Sequence, residues 1–123
     1  MIIGIGCDIV TIERVAKACA KAGFVERVFT DKEIAYCKAR KVQATSSYAA
    51  RFAAKEAVLK ALGTGLREGE LKEIEVVNDE LGKPFVNLYG YHKSLAASQG
   101  VKRIHLSLSH SQTEALAYCI MED

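Results

Sequence analysis

Asp8, Glu56 and Lys60 are the residues of this 123-residue chain whose types and spacing most suggest chemistry. Asp8 closes an apolar, β-branched run that starts at Ile2. By the two-residue alternation of a strand it shares a face with Gly4 and Gly6, opposite Ile3, Ile5, Cys7 and Ile9. Glycines on that face let another backbone or a ligand approach closely. A carboxylate beside them suits a hard cation such as Mg²⁺. The competing reading is a surface aspartate that ends the strand or caps the next helix.

Glu56 and Lys60 stand four residues apart in an Ala-, Leu- and Lys-rich segment. As an exposed helical pair they would contribute roughly 0.3 kcal/mol. Ala49, Phe52 and Ala53 mark the same stripe as partly buried, and charges on such a stripe tend to be functional or closely paired. Arg51 and Lys55 point to a different side, with Val58 and Leu62, and suit a phosphate or another helix equally. Gly63-Thr64-Gly65 follows at once. Its backbone N–H groups suit an anion, although a glycine here is also an ordinary helix stop. It is no P-loop, lacking the glycine–lysine order.

Further on, Ile104-His105-Leu106-Ser107-Leu108-Ser109-His110 alternates, with His105, Ser107 and Ser109 on its polar face. His110 lines up with Leu106 and Leu108 at the strand's end, as an edge residue or at the mouth of a site. No nucleophile elbow supports a Ser/His catalytic pair. Arg14, Lys17 and Lys21 recur at helical spacing opposite an apolar face. That stripe is either solvated or offered to an acidic protein or a nucleic-acid backbone.

These residues need elements to hold them. Ile2–Val10 reads as a strand, and Thr11–Ala22 as an amphipathic helix stopped by Gly23. Thr30-Asp31-Lys32-Glu33 has the form of a capping box opening a helix to Arg40. The longest helix is expected over Ser46–Leu62. Glu73–Val77 and Phe85–Leu88 read as strands around a turn at 78–84, followed by a helix over Tyr89–Ser98. Arg103–Ser109 and Ala115–Met121 form a hairpin. Helices and hairpins are segregated, so the expected class is α+β: one domain over 1–123, with an antiparallel sheet packed on the long helix.

Half of the residues are hydrophobic, 26% are charged and only one is proline, which excludes a disordered chain. The net charge of +2 hides an asymmetry. Residues 1–60 carry eleven Lys/Arg against six Asp/Glu, or +5, and residues 61–123 carry six against nine, or −3. A basic half suggests an anionic partner. Aromatic interleaving is missing and the second half is acidic, which argues against nucleic acid. Cys7, Cys19, Cys37 and Cys119 show no metal-ligand spacing and read as small buried hydrophobes in a reducing compartment. The apolar start lacks a basic leader, and no run reaches the length of a membrane span. A soluble, cytoplasmic protein with no membrane partner is expected.

Gly4-Ile5-Gly6-Cys7-Asp8-Ile9 together with Arg51-Phe52-Ala53-Ala54-Lys55-Glu56-Ala57-Val58-Leu59-Lys60-Ala61 resembles the two signatures of the 4′-phosphopantetheinyl transferases. The short length, Gly63-Thr64-Gly65 and Leu108-Ser109-His110-Ser111 resemble the branch that acts on acyl carrier protein. The resemblance implies transfer of phosphopantetheine from coenzyme A to a serine of an acidic apo-acyl carrier protein, for fatty acid biosynthesis. Adenosine 3′,5′-bisphosphate is the leaving product. By the same resemblance Asp8 and Glu56 hold Mg²⁺, and Lys60 contacts the phosphate and protonates the leaving group. The base is left open between Glu56 and a metal-bound water. Arg51, Gly63, Thr64, Gly65, Lys83, Pro84, His110 and Ser111 match positions around the nucleotide, and Arg14 matches a carrier-docking residue. Lys17 and Lys21 extend that docking stripe by helical spacing. A homotrimer with sites shared between subunits is implied. A carrier domain of a polyketide or peptide synthase is the alternative acceptor.

Overall fold

The computed structural model describes residues 1–123. Its elements are β1 (Ile2–Thr11), α1 (Ile12–Cys19), α2 (Phe24–Val28), α3 (Asp31–Ala39), α4 (Ala44–Leu62), β2 (Ile74–Asn78), β3 (Pro84–Leu88), α5 (Gly90–Ser98), β4 (Arg103–His110) and β5 (Glu114–Glu122). β1, β5 and β4 form a three-stranded antiparallel sheet in that spatial order, with Asp8 opposite Ala117 and Ala117 opposite Leu108. β2 and β3 form a separate antiparallel ribbon that packs beside β4. The α+β class and the packing of a sheet on the long helix are as expected.

The face of β1 that α4 covers is the glycine face. A Cβ at Gly4 would stand 2.1 Å from the Ala61 carbonyl oxygen, and one at Gly6 would stand 1.9 Å from that of Ala57. α4 answers with its own small residues, and Ala53, Ala54, Ala57 and Ala61 are all buried. The helix backbone therefore rests almost on the strand backbone. The apolar row of β1 is turned outward, with Ile5 and Ile9 each 57% exposed beside Leu116 and Tyr118 of β5. Cys7 lies in this row and is exposed, contrary to the expectation of burial that Cys37 and Cys119 meet. Burial follows the row the helix can approach, and a row without side chains admits it most closely.

The first helix is shorter than its amphipathic pattern predicts. α1 ends at Cys19, and Gly23, at φ +82°, starts the separate α2. The break turns Phe24 inward, where its ring meets Phe29 at 6.5 Å and Phe52 at 6.3 Å. Lys21 consequently lies beyond α1 and outside the expected stripe, and Lys17 pairs with Glu13 at 3.3 Å.

The Thr30–Glu33 capping box forms as predicted: Thr30 Oγ1 accepts from Glu33 N, and Glu33 Oε1 accepts from Thr30 N. α4 begins two residues before its expected start, led in by a 3₁₀ turn over Lys41–Gln43, and ends where Gly63 adopts φ +82°. No helix is long and apolar enough to cross a membrane.

The glycine contact is testable by adding single methyl groups. Gly6→Ala must push α4 off β1 and should cost about 3 kcal/mol or more in chemical denaturation. Gly65→Ala, at φ +64° with nothing near its added Cβ, should cost about 1 kcal/mol. Equal losses would mean that the backbone contact is not what limits substitution at position 6.

Candidate active site

Because α4 lies so close to β1, the inward residues of the strand meet the last two turns of the helix. Lys60 Nζ donates to Asp8 Oδ1 at 3.0 Å and to the Cys7 carbonyl oxygen at 2.9 Å. Glu56, one turn earlier on the same stripe, completes a group of two carboxylates and one ammonium. Burial raises the Glu56 carboxyl above its ordinary range, and the Asp8 charge raises it further against the opposing pull of Lys60. The Asp8 side chain is only 16% exposed and that of Lys60 is 56% exposed, so the group opens to solvent on the ammonium side.

The donor chemistry fits a hard divalent cation. Both carboxylates supply oxygen only, and the lysine ammonium already stands as a counter-charge to Asp8. No group of three or more His, Cys, Asp or Glu side chains is assembled for a metal. Two carboxylates with the remaining positions left to water and phosphate is the usual manner of binding Mg²⁺, whereas zinc and calcium take fuller protein cages.

The other candidates lie elsewhere. Arg51 is 3% exposed, with its guanidinium 4.0 Å over the Tyr36 ring and donating to Asn78 Oδ1. It is an interior residue aimed at the β2–β3 ribbon, and Asn78 is there paired with Pro84 across the turn that carries Lys83. Lys55, which the spacing left between a phosphate and a helix, is fully buried against α3. The Gly63–Gly65 loop is closed by Thr64 Oγ1 donating to the Gly65 carbonyl at 3.0 Å and by Arg67 Nε donating to Thr64 O at 3.2 Å.

His110 is exposed at the end of β4. Ser111 Oγ accepts from the backbone N–H groups of Thr113 and Glu114 and so holds the β4–β5 turn. His110 and Ser111 border a cleft with Ile12, Gln43, Thr45 and Ser46. Asp8 thus belongs to one edge strand of the sheet, while His110 and the neighbouring ribbon with Lys83 and Pro84 belong to the other. A single chain brings Asp8, Glu56 and Lys60 together, and no hydrogen bond joins them to the second set, of which His110 and Ser111 border clefts with Ile9 of β1 and Ile12 of α1.

Of the docking stripe, Arg14 borders an apolar cleft of about 290 Å³ lined also by Ile9, Val15, Phe24 and Phe52. Phe52 is one helical turn from Glu56. Sequence reasoning did not single out Tyr36, Asn78 or Arg67. Nothing in the spacing of Tyr36 or Asn78 ties either to Arg51, and Arg67 carried only the faint signal of a base just after the glycine loop.

The raised Glu56 carboxyl has a consequence for stability. A group raised in the folded state contributes stability that is present below its unfolded range and lost as pH rises through the folded value, so ionised Glu56 destabilises the fold at neutral pH. With divalent cations removed by chelation, Glu56→Gln should raise Tm by about 2 °C at pH 7.5. The gain should vanish at pH 4, where the raised Glu56 carboxyl is itself protonated in the folded protein. A lower Tm for the variant at pH 7.5 would mean that the charge is well solvated.

Comparison with known proteins supplies the context for this geometry. Residues 4–119 match the model of the 4′-phosphopantetheinyl transferase superfamily. The holo-[acyl-carrier-protein] synthase of Clostridium novyi (strain NT) is 48% identical over 99% of this chain and 88% of its own length. That of Clostridium botulinum (strain Eklund 17B / Type B) is 51% identical over 99% of this chain and 98% of its own. Among solved structures, the holo-[acyl-carrier-protein] synthase of Neisseria meningitidis superposes with a TM-score of 0.87 at 37% identity, covering 100% of both chains. That of Bacillus anthracis str. Ames, in complex with CoA (3′,5′-ADP), superposes with a TM-score of 0.84 at 39% identity over 100% of this chain and 98% of its own. With its glycine-packed strand and its Asp8–Glu56–Lys60 group inside the matched region, the chain belongs to the 4′-phosphopantetheinyl transferase superfamily.

Proposed function

We propose that this chain, acting as one domain over 1–123, transfers 4′-phosphopantetheine from coenzyme A to a serine of apo-acyl carrier protein, arming that carrier for fatty acid biosynthesis. The observation that carries the proposal is the meeting of Asp8, Glu56 and Lys60 where β1 and α4 touch. In the reaction the serine oxygen forms a bond to the β-phosphorus of coenzyme A. The bond from that phosphorus to the oxygen of adenosine 3′,5′-bisphosphate breaks. The serine proton passes to a base, and the departing phosphate oxygen takes up the negative charge or a proton.

The chain supplies three groups to this displacement. Glu56, raised by burial and by Asp8, is the protein's own acceptor for the serine proton. Lys60, its side chain 56% exposed, reaches the transferring phosphate and delivers charge or a proton to the leaving oxygen. Asp8 and Glu56 are the residues that would hold Mg²⁺, which supplies charge neutralisation at the pyrophosphate when bound. Gly63 ends α4 with its own N–H taken by the Leu59 and Lys60 carbonyls, and the backbone N–H groups of Thr64 and Gly65 beyond it suit a phosphate. Lys83, Pro84, His110 and Ser111 serve the nucleotide, and Arg51 acts on that side from the interior through Asn78.

The second set lies on the far edge of the sheet, which supports an active site assembled between subunits of a homotrimer. The exposed row of Ile3, Ile5, Ile9, Leu116 and Tyr118 is an apolar surface fit for such an interface. Arg14, at the rim of the apolar cleft beside Phe52, docks the acidic carrier. Four free cysteines support a reducing, cytoplasmic setting.

Incubation with coenzyme A, Mg²⁺ and apo-acyl carrier protein should add the mass of phosphopantetheine to the carrier. Absence of product, with wild type and Glu56→Gln binding coenzyme A alike, would overturn the catalytic reading. Asp8→Ala should lose at least about 100-fold in kcat at ordinary Mg²⁺ while keeping its fold. Activity near wild type would remove Asp8 from the site. Arg14→Glu should raise KM for the carrier by about tenfold or more while leaving KM for coenzyme A within about twofold. An equal rise in both would move docking to another face.

A further inference from the structure

Lys55 and Glu33 are the most deeply buried ion pair of the molecule, with both side chains at 0% exposure and Nζ 2.8 Å from Oε1. The ammonium also donates to the carbonyl oxygens of Leu71, at 3.1 Å, and of Ile74, so all three of its hydrogens are used. Glu33 is equally engaged. Oε1 accepts from Thr30 N at 2.9 Å, and Oε2 accepts from Val76 N at 3.0 Å. One pair therefore ties together the start of α3, the middle of α4, the segment before β2, and β2 itself.

Two further buried charges extend the same layer. Glu75 accepts from Thr30 Oγ1 at 2.7 Å and from the Tyr89 hydroxyl at 3.1 Å, and Arg51 donates to Asn78 on the same ribbon. Burial pulls the Lys55 ammonium below the ordinary lysine range, and Glu33 opposes that pull. Apolar residues of similar volume commonly match or exceed the stability of such a pair. What apolar residues do not supply is direction, because they slide and rotate at little cost. Successive helical residues stand about 100° apart around the axis. Locking Lys55 therefore sets the direction in which Glu56 points. Glu56 has no side-chain hydrogen bond of its own to do so. The Gly4 and Gly6 contacts set how near α4 lies to β1, and the ion pair sets how α4 is turned.

We propose that the Lys55–Glu33 pair is a positioning device for the transfer reaction: it fixes the rotation of α4, aims Glu56 and Lys60 at Asp8, and keeps the β2–β3 turn in register with them. This inference rests on the transferase reading given above. It assigns Lys55 and Glu33 no contact with substrate. Their effect is transmitted through the helix backbone.

The experiment compares wild type, Glu33→Gln, the double variant Lys55→Met/Glu33→Gln, and Val58→Ala as a core-destabilising control. The double variant removes both buried charges and so avoids leaving one unpaired. Each is measured for Tm, for kcat and both KM values per folded molecule, and for Mn²⁺ affinity in the presence of coenzyme A by electron paramagnetic resonance. The expected result is a kcat lower by about tenfold or more in the double variant. Its Mn²⁺ affinity should be weaker by about fivefold, its KM for the carrier unchanged, and Val58→Ala should keep kcat at a comparable Tm. Glu33→Gln, which keeps the shape of the site, should fall between. If wild type loads the carrier and Glu33→Gln or a folded double variant matches it in kcat and Mn²⁺ affinity, the positioning role is overturned. The same holds if Val58→Ala loses as much as the double variant. If wild type itself loads nothing, the transferase reading falls and carries this one with it.

Discussion

A helix can rest on a strand at backbone contact only where the strand carries no side chains, and that condition at Gly4 and Gly6 governs the rest of this molecule. The carbonyls of Ala57 and Ala61 occupy the places that β-carbons would take. Once α4 is seated there, Asp8, two residues further along the same strand face, must stand beside Lys60 and Glu56. The same seating turns the isoleucine row of β1 to the outside. One steric fact thus supplies both the meeting of the charged groups and the apolar surface on the other side of the sheet.

α4 separates two kinds of charge. On the flank toward α3 and β2, Lys55 and Arg51 are buried and their partners are Glu33, Asn78 and backbone carbonyls. On the flank toward β1, Glu56 and Lys60 stay partly open, and Glu56 has no hydrogen-bond partner in the chain. Desolvation acts on both flanks with opposite sign, lowering the Lys55 ammonium and raising the Glu56 carboxyl. A satisfied buried pair such as Lys55–Glu33 specifies geometry, whereas an incomplete and accessible group is available to a ligand. That difference is why residues 55 and 56, adjacent in the chain, have such different work.

Local signals were read from the sequence with success where the interaction is itself local. The Thr30–Glu33 capping box, the stop at Gly63 and the β4–β5 hairpin each depend on a few neighbouring residues, and each forms. The alternation that put Asp8 on the glycine face of β1 also holds, because strand geometry leaves no other choice. The reading failed where a distant partner overrides the local pattern. The apolar spacing of the first helix continues to Ala22, but Phe24 is drawn to Phe29 and Phe52 and the helix stops at Cys19. Lys21 leaves the basic stripe for that reason. Cys7 is small and apolar, yet it lies on the row that α4 does not cover.

By itself the sequence determined the residue types at Asp8, Glu56 and Lys60, their places on a strand and a helix, and a pattern specific enough to name the family. Periodicity assigns a residue to a face of its own element, and composition limits what that face can bury. Neither says which element will cover the face. Only the tertiary structure decided that Glu33, legible as a helix cap, is also the counter-ion of Lys55 twenty-two residues away. It likewise decided that Arg51 turns inward to Tyr36 and Asn78 while Lys60 turns out to Asp8. The reason is that pairing between distant charges depends on the seating and rotation of α4, which arise only when β1, α3 and β2 close on the helix together.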